Sequence, residues 1–164
     1  MNTVSDRIEK KILLHAPRAR VWRALSDSKE FGSWFGVELD GPFAPGAALR
    51  GTIVPTTVDP SVAEQQRPHK GLPCDLSVER VEPERLLSFR WHPYAVERGG
   101  DYAKEPTTLI VFELVEQKDG VLLTVTESGF DRIPLERRAT VFTSNDKGWA
   151  IQMTLIEKYL AEAA

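Results

Sequence analysis

Three histidines, one cysteine and a scatter of carboxylates are the residues of this 164-residue chain that could do metal, nucleophilic or acid–base chemistry. His15, His69 and His92 stand far apart, and none has a second ligand at metal-binding spacing, so no metal site is expected. His15 reads as a strand end and His69 as part of a polar loop. His92 follows Trp91 at a strand end, near the rim of whatever the sheet encloses. Cys74 stands alone, which excludes an intramolecular disulfide framework, and it reads as a small buried hydrophobe. Ser128, in ESGFD, lacks the flanking glycines of a nucleophile elbow. Neither GPFAPG (41–46) nor the RGG at 98–100 has the strand-to-helix context of a phosphate-binding loop. Glu38, Asp40, Glu113 and Glu127 form no recognisable acid–base pair, and Glu127-Ser128-Gly129 reads as a strand end turning the chain toward a helix. No catalytic residue and no cofactor is expected.

Aromatic residues offer a different kind of chemistry. Trp34 and Phe35 are adjacent, Phe89 and Trp91 alternate along one run, and Phe112 and Phe142 follow. Trp149 stands between Asn145 and Met153 in a long C-terminal stretch. Brought together, such residues make a concave apolar pocket with a few polar groups. They would equally well fill a core, because core and pocket share a composition.

The elements that must position them are legible in outline. Residues 6–15 alternate as a strand, and Pro17 suits a helix N1 position ahead of RARVWRAL. A second short helix is predicted over 28–35, weakened by Gly32 and ending at Gly36. GPFAPG is turn chemistry. Strands are predicted over 47–58, 73–82, 85–92, 107–116 and 121–128, with Asp119-Gly120 as a hairpin signal before the last. Two polar stretches, 59–71 and 94–106, read as loops, the first exposed and without regular structure. From Pro134 one long helix runs to the end, with Phe142, Trp149, Met153, Ile156 and Leu160 near one stripe and Asn145 and Gln152 on or beside it.

Short spacers favour antiparallel pairing, and a terminal helix segregated from the strands favours an α+β domain. Alternation places Leu49, Gly51, Ile53, Leu76, Val78, Leu87, Phe89, Trp91, Ile110, Phe112, Leu114, Val121, Leu123 and Val125 on the inner face. Glu113 then points out, as do Arg50 and Arg90.

The bulk properties narrow the class of function. A net charge of −3, with basic residues scattered, gives no electrostatic footprint for nucleic acid. No apolar run approaches the roughly 20 residues of a membrane span, and MNTVSDRIEKKILLHAP carries no signal-peptide pattern, so a cytoplasmic protein is expected. The length fits one domain, expected to act as a monomer or homodimer.

The chain resembles the SRPBCC, or START-like (Bet v 1-like), helix-grip superfamily, and within it the family named after the C-terminal domain of activators of Hsp90 ATPase. The resemblance is carried by APRARVWRALSDSKEFGSWFG (16–36), GPFAPGAALRGTI (41–53), VERVEPERLLSFRWHPYAVE (78–97), EPTTLIVFELVE (105–116), LTVTESGFDRIPLERR (123–138) and NDKGWAIQMTLIEKYL (145–160). It implies a curved antiparallel sheet of about six strands around a long C-terminal helix, with two short helices between the first two strands. It also implies a cavity between sheet and helix, used across the superfamily for hydrophobic ligands and occasionally for catalysis. Trp34, Phe35, Phe89, Trp91, Phe112, Phe142, Asn145, Trp149 and Met153 are the candidate ligand-binding set. The expected partner is a small apolar or amphipathic molecule, with neither nucleic acid nor membrane. Cyclase- or hydratase-like catalysis in the same cavity is the alternative. Association with Hsp90 is a third reading, although this stretch holds no counterpart of the activators' N-terminal domain. Gly148, inside the helix, is expected to let the backbone approach the sheet closely.

Overall fold

The computed structural model describes residues 7–93 and 105–162. Most of the polar loop read over 94–106 therefore lies outside the described residues. The element order is β1 (Arg7–Leu14), α1 (Arg18–Ser26), α2 (Ser28–Phe35), β2 (Val37–Leu39), β3 (Ala48–Leu49), β4 (Gly51–Ile53), α3 (Pro60–Gln66), β5 (Leu76–Glu82), β6 (Leu86–Trp91), β7 (Thr108–Gln117), β8 (Gly120–Ser128) and α4 (Leu135–Glu162). The fold is α+β. A six-stranded antiparallel sheet runs in the order β1-β8-β7-β6-β5-β3, and β2 pairs with β4 in a separate two-stranded sheet.

Local chemistry sets the helix limits. Pro17 is the residue before α1 rather than its first helical position, and its carbonyl accepts from the Arg20 and Val21 amides. The Asp27 carboxylate caps α2 by accepting from the Lys29 and Glu30 amides at 2.9 and 3.1 Å. Gly36, in the left-handed region at φ 97°, ends the helix. Gly32 is needed for a different reason: a Cβ there would lie 2.1 Å from the Val37 carbonyl oxygen. That glycine lets α2 close onto β2.

Two readings of the strand-rich middle need correction. The single strand expected over 47–58 is two short pieces that belong to different sheets. At the break, Arg50, the Asp40 side chain takes the backbone N–H at 2.9 Å, so this amide leaves the ladder. The stretch 59–71 is exposed for the most part, yet it is not structureless. Asp59 caps α3 through the Ser61 and Val62 amides, with Pro60 in the first turn. Two tethers hold this segment to the body. Lys158 of α4 pairs with Asp59, and Gln66 accepts from the Thr56 amide at 2.7 Å while donating to the Phe35 carbonyl at 3.2 Å. The Lys158 hydrogen bond, with the helix-cap amides adding, holds the Asp59 carboxyl below its ordinary range. This anchor therefore holds at neutral pH and is released only as the pH falls below that range.

The core lies where α4 crosses the inner face of the sheet. Leu87, Phe89, Ile110, Phe112, Leu123 and Val125 are fully buried from the sheet side, Val141, Leu155 and Ile156 are fully buried from α4, and Trp149 and Met153 are buried beside them. Trp149 of α4 meets Phe112 of β7 edge to face at 5.7 Å. The register that makes this face is firm, because a one-residue slip would turn Glu113 inward and Phe112 outward.

Candidate functional site

Packing is incomplete toward the β3–β5–β6 side of the sheet. A cavity of about 810 Å³ opens there between the sheet, the end of α2 and the middle of α4. Its aromatic wall is a cluster of three rings drawn from three elements. Phe35 of α2 lies 5.9 Å from both Trp91 of β6 and Trp149 of α4, and the two indoles stack at 5.7 Å with planes 26° apart.

Behind this wall sits the residue that organises it. Glu127 of β8 has no exposed surface, and its carboxylate accepts from four side chains. Oε1 takes the Trp149 indole N–H at 2.8 Å, and Oε2 takes the Trp91 indole N–H at 2.9 Å and the Thr108 hydroxyl at 2.6 Å. The Asn145 amide lies 3.0 Å from each oxygen. Indole nitrogens can only donate, so both carboxylate oxygens are committed as acceptors. No cation pairs with Glu127 among the described residues. Charge-assisted bonds of this kind are short and directional, so one buried side chain fixes the orientation of both indoles and of Asn145. Glu127 is sealed from the cavity and does not border it. Its role is positional.

Sequence reasoning missed Glu127, although the signal was present. The alternation that turns Val121, Leu123 and Val125 inward turns residue 127 inward as well, and the observed register pairs it with Ile110 of the inner face. Thr108 follows from the same parity on β7.

Four of the nine candidate residues border the cavity: Phe35, Trp91, Asn145 and Trp149. The other five lie elsewhere. Trp34 is fully buried and donates its indole N–H to the Ala24 carbonyl at 2.9 Å, within the packing of α1 on α2. Phe89, Phe112 and Met153 are buried in the core and do not border the cavity. Phe142 packs edge to face on Phe130 at 5.1 Å and does not border the cavity. His92 does border the cavity, with Nε2 held 3.0 Å from the Glu105 carbonyl. His69 and Cys74 also border it. Burial, with the neighbouring Asp75 charge adding to it, pushes the Cys74 thiol up to about 12, so it is no thiolate nucleophile at neutral pH. Arg50 and Arg90, expected to face away from the enclosed space, also border the cavity, and Arg90 is ion-paired with Glu79 at 2.8 Å. No group of three or more His, Cys, Asp or Glu side chains could hold a metal among the described residues.

Gly148 overturns the expectation of close packing. It borders the cavity, and a Cβ at this position would meet nothing within 4 Å. The close approach expected here occurs at Gly32 instead. Gly148→Ala is therefore expected to stabilise the protein by up to about 1 kcal/mol through helix propensity alone. Urea unfolding of the two proteins checks this, and a loss of stability would show an overpacked helix.

Comparisons with known proteins agree with this architecture. The family model described as "Activator of Hsp90 ATPase homolog 1-like protein" matches residues 15–161. No curated protein matches. Among solved structures, DynU16, described as a putative protein in the dynemicin biosynthetic locus, is 25% identical with a TM-score of 0.68. That match covers 96% of this chain and 48% of DynU16, so this chain spans about half of that protein's length. Protein MLL2253 from Mesorhizobium loti is 20% identical over 96% of this chain and 98% of its own, with a TM-score of 0.70. The Aha1 dimer from Colwellia psychrerythraea is 12% identical over 92% of each chain, with a TM-score of 0.62. Both of the latter share the fold. Among the described residues, no helix is long and apolar enough to cross a membrane.

Proposed function

This chain belongs to the activator of Hsp90 ATPase homolog 1-like family, and from that premise we propose that it binds a small apolar or amphipathic molecule in the cavity between sheet and α4. The observation that carries this reading is the three-ring wall beside an open cavity, with both of its indoles hydrogen-bonded to one buried carboxylate. A protein needing only a core would close the space over Phe35, Trp91 and Trp149. Here about 810 Å³ stays open, within the range of roughly 300–1,000 Å³ common for small-molecule sites. The lining supports an amphipathic occupant. Leu49, Ile53 and Leu76 continue the apolar wall, while Thr107, Ser144 and Gln152 supply polar groups along it.

Titration with 1-anilinonaphthalene-8-sulfonate tests the proposal. The expected result is saturable binding of one dye per chain, with quenching of the intrinsic tryptophan emission. Binding that does not saturate, or that leaves the tryptophan emission unchanged, would overturn it.

A further inference from the structure

The middle of α4 carries one polar atom that the fold leaves unused. Ser144, Gly148 and Gln152 recur at four-residue spacing, which puts them on one helix face, and all three border the cavity. Helical side chains lean toward the helix N-terminus, so Gln152 extends over the turn that holds Gly148. At Gly148 the space is empty to 4 Å around a Cβ position.

The Gln152 amide nitrogen donates to the Phe35 carbonyl at 3.0 Å, and that same oxygen takes the Gln66 amide nitrogen at 3.2 Å. The Gln152 carbonyl oxygen has no hydrogen-bond partner and is shut away from solvent. One acceptor thus holds two donors while its neighbour holds none. Buried polar atoms in folded proteins are nearly always paired, so an orphan acceptor beside a cavity calls for a partner. Turning the amide into the space over Gly148 would leave the Phe35 oxygen satisfied by Gln66 and would bring the orphan oxygen to the cavity.

We propose that Gln152, working in the space that Gly148 leaves empty, is a polar recognition group of the cavity that accepts a hydrogen bond from the ligand. The ligand it fits carries a hydroxyl or N–H donor on an apolar, ring-sized body. The body lies along Phe35, Trp91 and Trp149, and its donor meets the Gln152 oxygen. This rests on the ligand-binding reading of the cavity.

Displacement of 1-anilinonaphthalene-8-sulfonate by two matched probes tests it. 2-Naphthol carries the donor, and 2-methoxynaphthalene has the same rings without it. The wild-type protein is expected to bind 2-naphthol about tenfold more tightly than the ether, the effect of one buried neutral hydrogen bond. In Gln152→Leu the two should fall within about twofold of each other. Gly148→Leu, which grows into empty space and should stay folded by circular dichroism, is expected to weaken 2-naphthol by about tenfold by filling that space. Equal binding of the probes by the wild type overturns the inference and leaves the cavity reading standing. So does a preference that survives in Gln152→Leu. Failure of the dye and both naphthalenes to bind, followed by tryptophan quenching, overturns the cavity reading and this inference with it.

Discussion

Glu127→Gln is expected to destabilise the protein by about 3 kcal/mol, the effect of leaving one or two buried donors without an acceptor. The reason is geometric. Each carboxylate oxygen holds one indole, Trp149 on Oε1 and Trp91 on Oε2. An amide has one oxygen and one NH₂ group, so whichever way it turns, one indole N–H faces another donor. For a chain of this size, that loss corresponds to a fall in Tm of roughly 6–12 °C. The folded variant should also bind the dye more weakly, because its aromatic wall is no longer held in place. Thermal unfolding with near-ultraviolet circular dichroism of the tryptophans checks both. Unchanged Tm and unchanged dye affinity would show that the carboxylate organises nothing.

Trp149→Ala carries the other large effect. Truncating a buried tryptophan ordinarily costs about 3–5 kcal/mol. Trp149 is 2% exposed, touches Phe35, Trp91 and Phe112, and donates to Glu127. One side of it faces the open cavity, so fewer contacts are lost than in a closed core, and the expected loss is near the lower figure. That leaves a folded protein within the usual margin of about 5–15 kcal/mol. Dye binding should weaken by at least about tenfold, the scale of losing a central aromatic anchor. Urea unfolding and dye titration on the same samples separate the two effects. A variant that unfolds, or one that binds dye as before, would make Trp149 plain core. Trp149→Phe refines the result, since it keeps a ring against Phe35 but removes the N–H that Glu127 accepts.

Both predictions turn on contacts that were only partly legible in the sequence. The strands with clean alternation and strong turn signals were readable nearly to the residue, and β7 and β8 on either side of Asp119 are the plainest case. The stretch 47–58 was not, because its break depends on the Asp40 side chain capturing an amide ten residues away. A three-residue strand such as β2 shows too few residues for any period to appear. Helix α3 had a readable signal in Asp59-Pro60, masked by the polar composition around it.

Among the aromatic residues, side-chain type alone could not separate core from cavity. Phe89 and Trp91 share a face of β6, yet only Trp91, at the end of the strand, reaches the open space. The poor helix formers near the middle of α4 have their reasons in what they meet far off along the chain. Asn145 bonds Glu127, Asp146 pairs with Lys10 of β1 at 3.0 Å, and Gly148 borders the cavity. Of these, the carboxylate at 127 was the one that strand parity alone could have placed.

The indole N–H resonances give the most direct test of a ligand site at this wall. The chain has four tryptophans, and each contributes one indole N–H signal in a nitrogen–proton correlation spectrum. Trp91 and Trp149 border the cavity. Trp34 is buried with its N–H on the Ala24 carbonyl, and Trp22 packs on the core from α1. Titration with 2-naphthol should shift the signals of Trp91 and Trp149 in a saturable way, while those of Trp22 and Trp34 stay in place. Shifts confined to Trp22 and Trp34, or no saturable shift at Trp91 and Trp149, would contradict a binding site between the sheet and α4.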